Sequence, residues 1–411
     1  MNKIAAVVAL VLISGSAHAT NGYFSHGYGI KAKGEAGAGI ASPQDSLAIA
    51  TNPAGIALVG DEFDVGLDFF FPSREATFEQ GGISTTYSGN DKGSFVIPDA
   101  GVSWALNDRL SLGIALFGNG GMNTDYKDNP YGRFGAQGKA GVDLSQAFLS
   151  PAIAWKLTDT QTIGLAVNFA YQRFEAKGIG IFGGFSTDPA NVSNRGYDSS
   201  TGWGVRLGWI GKFGQYVTLG ATWQSETGMG KFAKYSGLFA DHGGFDIPQN
   251  FGLGIAVQPS DAVTVALDWQ RILYSEVPSV GNPVDSLFSG VPLGAKDGPG
   301  FGWDDIDVFK LGTRWQVDDH WTLRGGVSYA TQPIPASQTF FNTLAPGVVQ
   351  WHLTLGGSYA FGESSSINAY YLHAFKNTVD GQNSIPPAFG GGDVNISLEE
   401  NSFGIGYSYR F

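Results

Sequence analysis

From residue 61 onward, apolar side chains recur at every second position rather than at the 3.6-residue period of a helix. Phe63, Val65, Leu67, Phe69 and Phe71 share one face, and Asp64, Gly66 and Asp68 the other. The same alternation returns in Leu110 to Leu116, Leu149 to Leu157, Ile163 to Tyr171, Trp203 to Trp209, Val217 to Trp223, Phe251 to Val257, Val263 to Trp269 and Trp321 to Tyr329. Segments of about ten residues with a two-residue period are what a membrane-crossing barrel requires, because one face meets lipid and the other a polar lumen. A soluble β-sandwich or solenoid also alternates, but it lacks the aromatic residues that gather here near strand ends, at the levels of membrane girdles.

Composition agrees. Only 15% of the residues are charged, against roughly 25% in ordinary soluble domains. The formal charge of −12 speaks against nucleic acid, which needs clustered Lys and Arg. With no cysteine, there is no disulfide scaffold, thiol nucleophile or Cys-ligated zinc. The longest apolar run, Ile4 to Ile13, is too short to cross a bilayer as a helix. It follows Lys3 and precedes Ala17-His18-Ala19, which together read as a secretory signal over residues 1–19, with export through a Gram-negative envelope.

Spacing gives strand number and orientation. Six short turns centre on Asn107-Asp108, Thr158-Asp159-Thr160, Lys212-Phe213-Gly214, Pro259-Ser260-Asp261, Val317-Asp318-Asp319 and Gly362-Glu363-Ser364. Seven longer stretches lie near 73–93, 122–146, 176–201, 228–248, 272–304, 331–347 and 377–400. They imply an all-β fold: a 14-stranded antiparallel transmembrane β-barrel over residues 61–411, short turns in the periplasm and both ends on that side. The last strand ends on Phe411, as outer-membrane barrels commonly do. Residues 20–60 do not alternate. They are rich in Gly and Ala, and Ser42 with Pro43 predicts the start of a short helix that stops at Asn52-Pro53. Such a segment suits an N-terminal hatch, or plug, folded inside the lumen.

Thr51-Asn52-Pro53-Ala54-Gly55, preceded by Gly34-Glu35-Ala36-Gly37-Ala38-Gly39 and Asp45, resembles the N-terminal hatch of the outer-membrane long-chain fatty-acid transporter family, FadL and its aromatic-hydrocarbon relatives. Trp223-Gln224-Ser225-Glu226, Asp319-His320-Trp321-Thr322-Leu323-Arg324-Gly325-Gly326 and Pro333-Ile334-Pro335 extend the resemblance across the mature chain. It implies passive transport: capture of a hydrophobic molecule between external loops, rearrangement of a hatch centred on Asn52, Pro53 and Ala54, and sideways exit where the third strand kinks. It also implies a basic residue before the tenth strand, where Trp303-Asp304-Asp305 is acidic, which leaves room for neutral hydrocarbons as substrates.

Specific residues follow. An apolar capture groove would use Ile179, Ile181, Phe182 and Phe185 of one loop and Phe232, Leu238, Phe239 and Phe245 of another. Alternation breaks at Phe117-Gly118-Asn119-Gly120-Gly121, the candidate lateral gate, since glycine inside a strand weakens the ladder. Arg206, Lys310, Arg314 and Arg324 face the lumen by parity and could hold a carboxylate, or equally form lumenal ion pairs with Asp64, Asp68 and Asp268. Arg173 is a further carboxylate candidate from the resemblance, although parity points it outward. The mature histidines His26, His242, His320, His352 and His373 show no metal-ligand spacing, so no catalytic residue, metal or cofactor is expected. Expected partners are a long-chain fatty acid or other hydrophobic small molecule, outer-membrane lipid and lipopolysaccharide, and the barrel-assembly machinery, with the chain a monomer. A general porin, a receptor barrel and an outer-membrane hydrolase are the competing readings.

Overall fold

A computed structural model describes residues 21–411, so the expected signal segment and its cleavage site lie outside the described residues. Fourteen strands form the wall: β1 Glu62–Gln80, β2 Phe95–Ala105, β3 Leu110–Tyr126, β4 Ala140–Lys156, β5 Gln161–Lys177, β6 Asp198–Phe213, β7 Val217–Gln224, β8 Asn250–Ser260, β9 Val263–Ile272, β10 Ile306–Gln316, β11 Trp321–Ala330, β12 Trp351–Phe361, β13 Ser365–Val379 and β14 Asp393–Arg410. Each pairs antiparallel with its predecessor, and β14 returns to β1 from Glu62↔Arg410 to Glu79↔Asp393, which closes the barrel. Two short pieces, Ile83–Ser88 on β1 and Gly228–Met229 on β6, extend the sheet beyond the wall. The predicted outer faces are outer faces: Phe63, Val65, Leu67 and Phe71 are exposed while Glu62, Asp64 and Asp68 are buried.

The strands outrun the alternation that revealed them. β1 has 19 residues and covers much of the stretch expected to be the first external loop. Likewise β3 runs to Tyr126 and β4 begins at Ala140. The reason is contrast. Above the lipid band, loops cover the wall, and Gly141 to Gln146 are buried on both faces, so apolar and polar no longer alternate. One turn is also displaced, by two residues to 214–216, and it opens on Gly214, whose φ of 67° lies in the left-handed region that glycine enters without steric cost.

Residues 21–60 lie against the inward faces of the strands. Lys31 reaches Glu62 on β1 at 2.5 Å, and Lys33 reaches Asp68 at 2.5 Å, both pairs buried. Asp268 of β9 accepts from the backbone N–H groups of Gly39 (2.7 Å) and Ile40 (2.9 Å). On the far side, Ala36 N donates to Thr354 Oγ1 of β12 at 2.9 Å. Buried ion pairs of this kind add little net stability, but losing one partner costs about 3–5 kcal/mol because the other charge stays buried. They therefore fix where the segment sits.

The expected helix beginning at Ser42 is corrected. A 3₁₀ turn spans Ser46–Ala50, and its cap is Asp45, whose carboxylate accepts from Leu47 N at 3.1 Å. Asp45 is extended and takes the capping role, so Ser42 falls outside the turn. Asn52 is extended before Pro53, as sterics require, and its Oδ1 caps a second turn at Ala54 N (3.2 Å).

Asn52-Pro53-Ala54 rests on bare backbone. A Cβ at Gly164 would lie 2.2 Å from Ala54 N, and one at Gly208 would lie 1.9 Å from Asn52 Oδ1. Asn52 Nδ2 also donates to the wall carbonyl of Trp209 at 3.0 Å and to Ile40 O at 2.8 Å. Gly208→Val is expected to unseat the segment while the barrel still closes, at about 1–3 kcal/mol. Heat-modifiable electrophoretic migration should persist, and limited proteolysis should cut between residues 40 and 60 faster than in the unsubstituted protein.

Candidate functional site

The wall is incomplete between β2 and β3. Their ladder runs only from Ala105↔Ser111 to Ala100↔Leu116. Beyond that pair, among the wall strands, Phe95 to Asp99 of β2 pair only with β1, and Phe117 to Tyr126 of β3 only with β4. The third strand thus does not end at Phe117; it passes a bulge between Gly118 and Gly120 and continues, with its β2-facing edge open.

Backbone groups at that edge need partners. They find them in the N-terminal segment: Ser25 N donates to Asn119 O at 2.9 Å, Gly121 N donates to Tyr23 O at 2.9 Å, and Phe24 forms a bridge with Gly120. Gly120 admits this approach, since a Cβ there would lie 1.9 Å from Tyr23 O. The bulge residue Asn119 is buried, accepting from Tyr28 Oη at 3.2 Å and donating to Gln146 Oε1 at 3.2 Å. Phe117 packs between the rings of Tyr28 (4.9 Å) and Phe148 (5.6 Å). All five gate candidates therefore sit at one place. Further up, Asp91 N donates to Asp125 O at 3.0 Å, so the stretch before β2 crosses back to β3 and bounds the gap from above.

Tyr274, in the loop after β9, clasps the inserted strand. Its hydroxyl accepts from Tyr23 N (3.1 Å) and Phe24 N (3.3 Å) and donates to Asn21 O (2.5 Å). Trp303 stacks edge-on against Tyr274 at 5.2 Å and donates from Nε1 to Asn342 Oδ1 at 2.6 Å. The loop after β11 folds inward beside them, where Phe340 O accepts from Tyr131 Oη at 2.9 Å. Tyr23, Tyr274 and Phe340, and the packing role of Trp303, are not legible in the sequence, because long-range aromatic packing among loops has no period. The one available signal was the density of aromatics in stretches expected to be polar.

The residues expected to line a capture groove pack against one another in this structure. Ile179, Phe182, Phe232, Phe239 and Phe245 are buried, and Ile181, Phe185 and Leu238 are half-buried against them. Phe182 meets Tyr131, Phe340 and Phe341 edge-on, and Phe239 meets Phe174 and Phe245. Eight large apolar side chains exposed together would cost more than the loop order that buries them. What remains is an apolar cavity of about 30 Å³ bounded by Phe174, Ile179, Phe182, Leu238, Phe239 and Phe341. That is room for about one water, not a lipid tail.

The basic candidates divide into three places. Arg206 and Lys310 border one small lumenal cavity with Tyr28, Thr51 and Asp268. There Lys310 Nζ donates to His26 O at 2.9 Å, Arg206 Nη1 donates to Thr51 O at 3.2 Å, and Arg206 Nε has no acceptor among the described residues. Arg314 and Arg324 instead line a periplasmic cavity of about 890 Å³. Arg324 donates to Gln44 Oε1 (2.8 Å) and Ser358 Oγ (2.6 Å) and lies 3.5 Å from Glu35, and Arg314 lies 3.9 Å from the same carboxylate. Burial raises the Glu35 carboxyl above its ordinary range, and the two guanidiniums oppose that. Arg173 is not lumenal. It is on the outward face of β5, over the ring of Tyr197 at 4.6 Å, so the expectation from resemblance gives way to strand parity.

Folding also joins two histidines remote in sequence. The rings of His26 and His352 are 4.8 Å apart, with Ser328 Oγ 3.5 Å and 3.2 Å from their Nδ1 atoms. Among the described residues no group of three or more His, Asp or Glu is placed to hold a metal ion.

A closed 14-strand antiparallel barrel whose first strand begins and last strand ends beside the short turns, with residues 21–60 against its inner face, has the architecture of an outer-membrane barrel. Residues 10–411 match the Outer membrane protein transport protein family (OMPP1/FadL/TodX), and the chain belongs to it; its place is the Gram-negative outer membrane. It is 24% identical to the long-chain fatty acid transport protein of Escherichia coli K12, over 90% of this chain and 92% of that one. Its fold is shared with a Pseudomonas aeruginosa FadL homologue (16% identity, TM-score 0.74, 95% and 100% of the two chains) and the P. putida toluene transporter TodX (20%, 0.70, 94% and 99%).

Two outcomes follow. Tyr274→Phe removes all three clasp bonds, and amide hydrogen exchange at Tyr23 and Phe24 should quicken about 10- to 100-fold, as expected for a loss of about 1–3 kcal/mol. Burial, then the neighbouring His352, hold the His26 imidazole well below its ordinary range. Free histidine therefore takes up protons more readily than the seated one. The seating is strongest above about pH 6.5 and weakens as pH falls below it. Protection of the N-terminal amides measured at pH 7.5 and pH 5.5 checks this, with His26→Gln expected to flatten the difference.

Proposed function

We propose that the chain carries hydrophobic small molecules, long-chain fatty acids foremost, passively across the outer membrane, leaving sideways through the β2–β3 gap. The carrying observation is that gap: part of the wall's edge there is bonded by Tyr23 to Ser25 and not by a neighbouring strand. Hydrocarbon gains nothing from a polar periplasm, so an exit at the level of the membrane core leaves it in its preferred solvent. The apolar cluster around Phe182 and Phe239 suits capture once the loops part. Residues 20–60 act as the hatch, and Asn52-Pro53-Ala54 on its glycine seat is the part whose movement opens the route.

Arg206 and Lys310 suit a carboxylate head, since both are buried and Arg206 Nε lacks an acceptor. Arg314 and Arg324, engaged with Glu35, Gln44 and Ser358, read as anchors of the segment. A second reading, uptake of neutral aromatic hydrocarbons, is favoured by Asp304 and Asp305 standing where the resemblance implies a base. The toluene channels among the relatives of known structure are consistent with it. In either case the chain is a non-enzymatic single barrel, inserted by the assembly machinery and ringed by lipid and lipopolysaccharide.

The absence of native cysteine makes a clean lock available. Asn52→Cys with Gly208→Cys brings two Cβ atoms within disulfide range, because a Cβ at Gly208 lies 3.0 Å from Asn52 Cγ. Oxidation is expected to lower fatty-acid uptake at least tenfold and reduction to restore it. Uptake indifferent to oxidation would remove hatch movement from the route. Comparing a long-chain fatty acid with toluene in Arg206→Met separates the two substrate classes, as only the acid should lose transport.

A further inference from the structure

We propose that the outer face of β5 and β6, at the upper edge of the membrane band, binds the phosphorylated headgroup of lipopolysaccharide, with Arg173 as its anchor. The inference rests on the outer-membrane location and is independent of what the lumen carries.

Outward residues of β5 rise from Phe169, 53% exposed to the membrane side, through Tyr171 to Arg173. Four residues of strand are about 13 Å, one headgroup's height above the acyl chains. The long loops mark this side as the cell exterior, where the outer-leaflet lipid is lipopolysaccharide. At the same level the neighbouring strand β6 presents a hydroxyl, since Arg173 pairs in register with the exposed Ser199.

Arg173 is built to receive an anion and is not occupied by a protein one. Its guanidinium lies on Tyr197, and among the described residues it makes no ion pair and no hydrogen bond. Three other strand cations on the outward side near the rim are paired: Arg271 with Asp307 (2.8 Å) and Asp305 (3.4 Å), Lys376 with Glu75 (2.8 Å), Lys177 with Glu175 (3.0 Å). The ring beneath Arg173 is itself fixed. Tyr197 Oη donates to Asp143 Oδ2 at 2.9 Å, Lys92 Nζ reaches that same oxygen at 2.7 Å, and Lys234 Nζ donates to Tyr197 O at 2.6 Å. The nearby carboxylates are thereby answered: Asp143 by Lys92, Glu175 by Lys177, while Asp198 accepts from the backbone of Lys234 and Ser199. A stacked guanidinium keeps its planar fork of donors free, which matches the geometry of phosphate.

Native mass spectrometry of the whole barrel in neutral detergent, titrated with bisphosphorylated lipid A, tests the site. Unsubstituted protein should retain one lipid more tightly than it retains dephosphorylated glycolipid or phosphatidylglycerol. Arg173→Glu should weaken retention at least tenfold, Tyr197→Ala comparably, and Arg173→Lys partly, with Arg271→Glu unchanged. Should Arg173→Glu fail to show heat-modifiable migration, Arg173→Gln gives the same reading without a reversed charge. Retention unaffected by Arg173→Glu or Arg173→Gln, or equal retention of lipids with and without phosphate, overturns the assignment. Equal retention of phosphatidylglycerol would overturn its restriction to lipopolysaccharide. Fatty-acid uptake by the same variants reports on transport separately.

Discussion

A sheet in hydrocarbon cannot leave a backbone N–H or C=O without a partner, and everything distinctive here follows from one place where the neighbouring strand does not supply it. Between β2 and β3 the ladder stops at Ala100 and Leu116. The chain's own N-terminus makes up part of the deficit, so the wall and the segment inside it are one hydrogen-bonded object. Glycine is what lets the two meet: Gly120 for Tyr23, Gly164 and Gly208 for the Asn52 turn. The 61 glycines of the chain are in this sense partly a record of backbone meeting backbone.

The electrostatics of the lumen obey the same logic. Glu62, Asp64, Asp68 and Asp268 on the wall are matched by Lys31, Lys33 and the N–H groups of Gly39 and Ile40 on the segment. Such partners discriminate position more than they add stability, since a shifted segment would strand several charges at once. Arg206 and Lys310 reach the segment only through the carbonyls of Thr51 and His26, from a small cavity at its edge.

Much of the architecture was legible in the sequence because lipid imposes a two-residue contrast. Phe63 to Phe71 declare a membrane face, and the short turns are marked by Asn, Asp and Gly. Legibility ended where the contrast ended. Strand tops such as Gly141 to Gln146 are covered on both sides and read as loop. The loop aromatics Phe182 and Phe239 were recognisable as a group but not as a closed one, since burial among loops depends on partners such as Phe340 that lie far off in the chain. Arg173 was decided by parity alone, a local rule, against a pattern carried over from relatives. Tyr274 could not have been found, because its role lies in an oxygen placed against residues about 250 positions earlier.

That last distance has a kinetic meaning. Ala36 bonds to a side chain 318 residues away, and Tyr23 to one 251 residues away. Contacts of such separation cannot form until most of the intervening chain is in place, and loop closure must come before they contribute. The N-terminal segment is therefore the first part of the described chain to be made, yet these long-range contacts of it are among the last to form. Until Tyr23 to Ser25 reach β3, the edge of that strand lacks the bonds they supply.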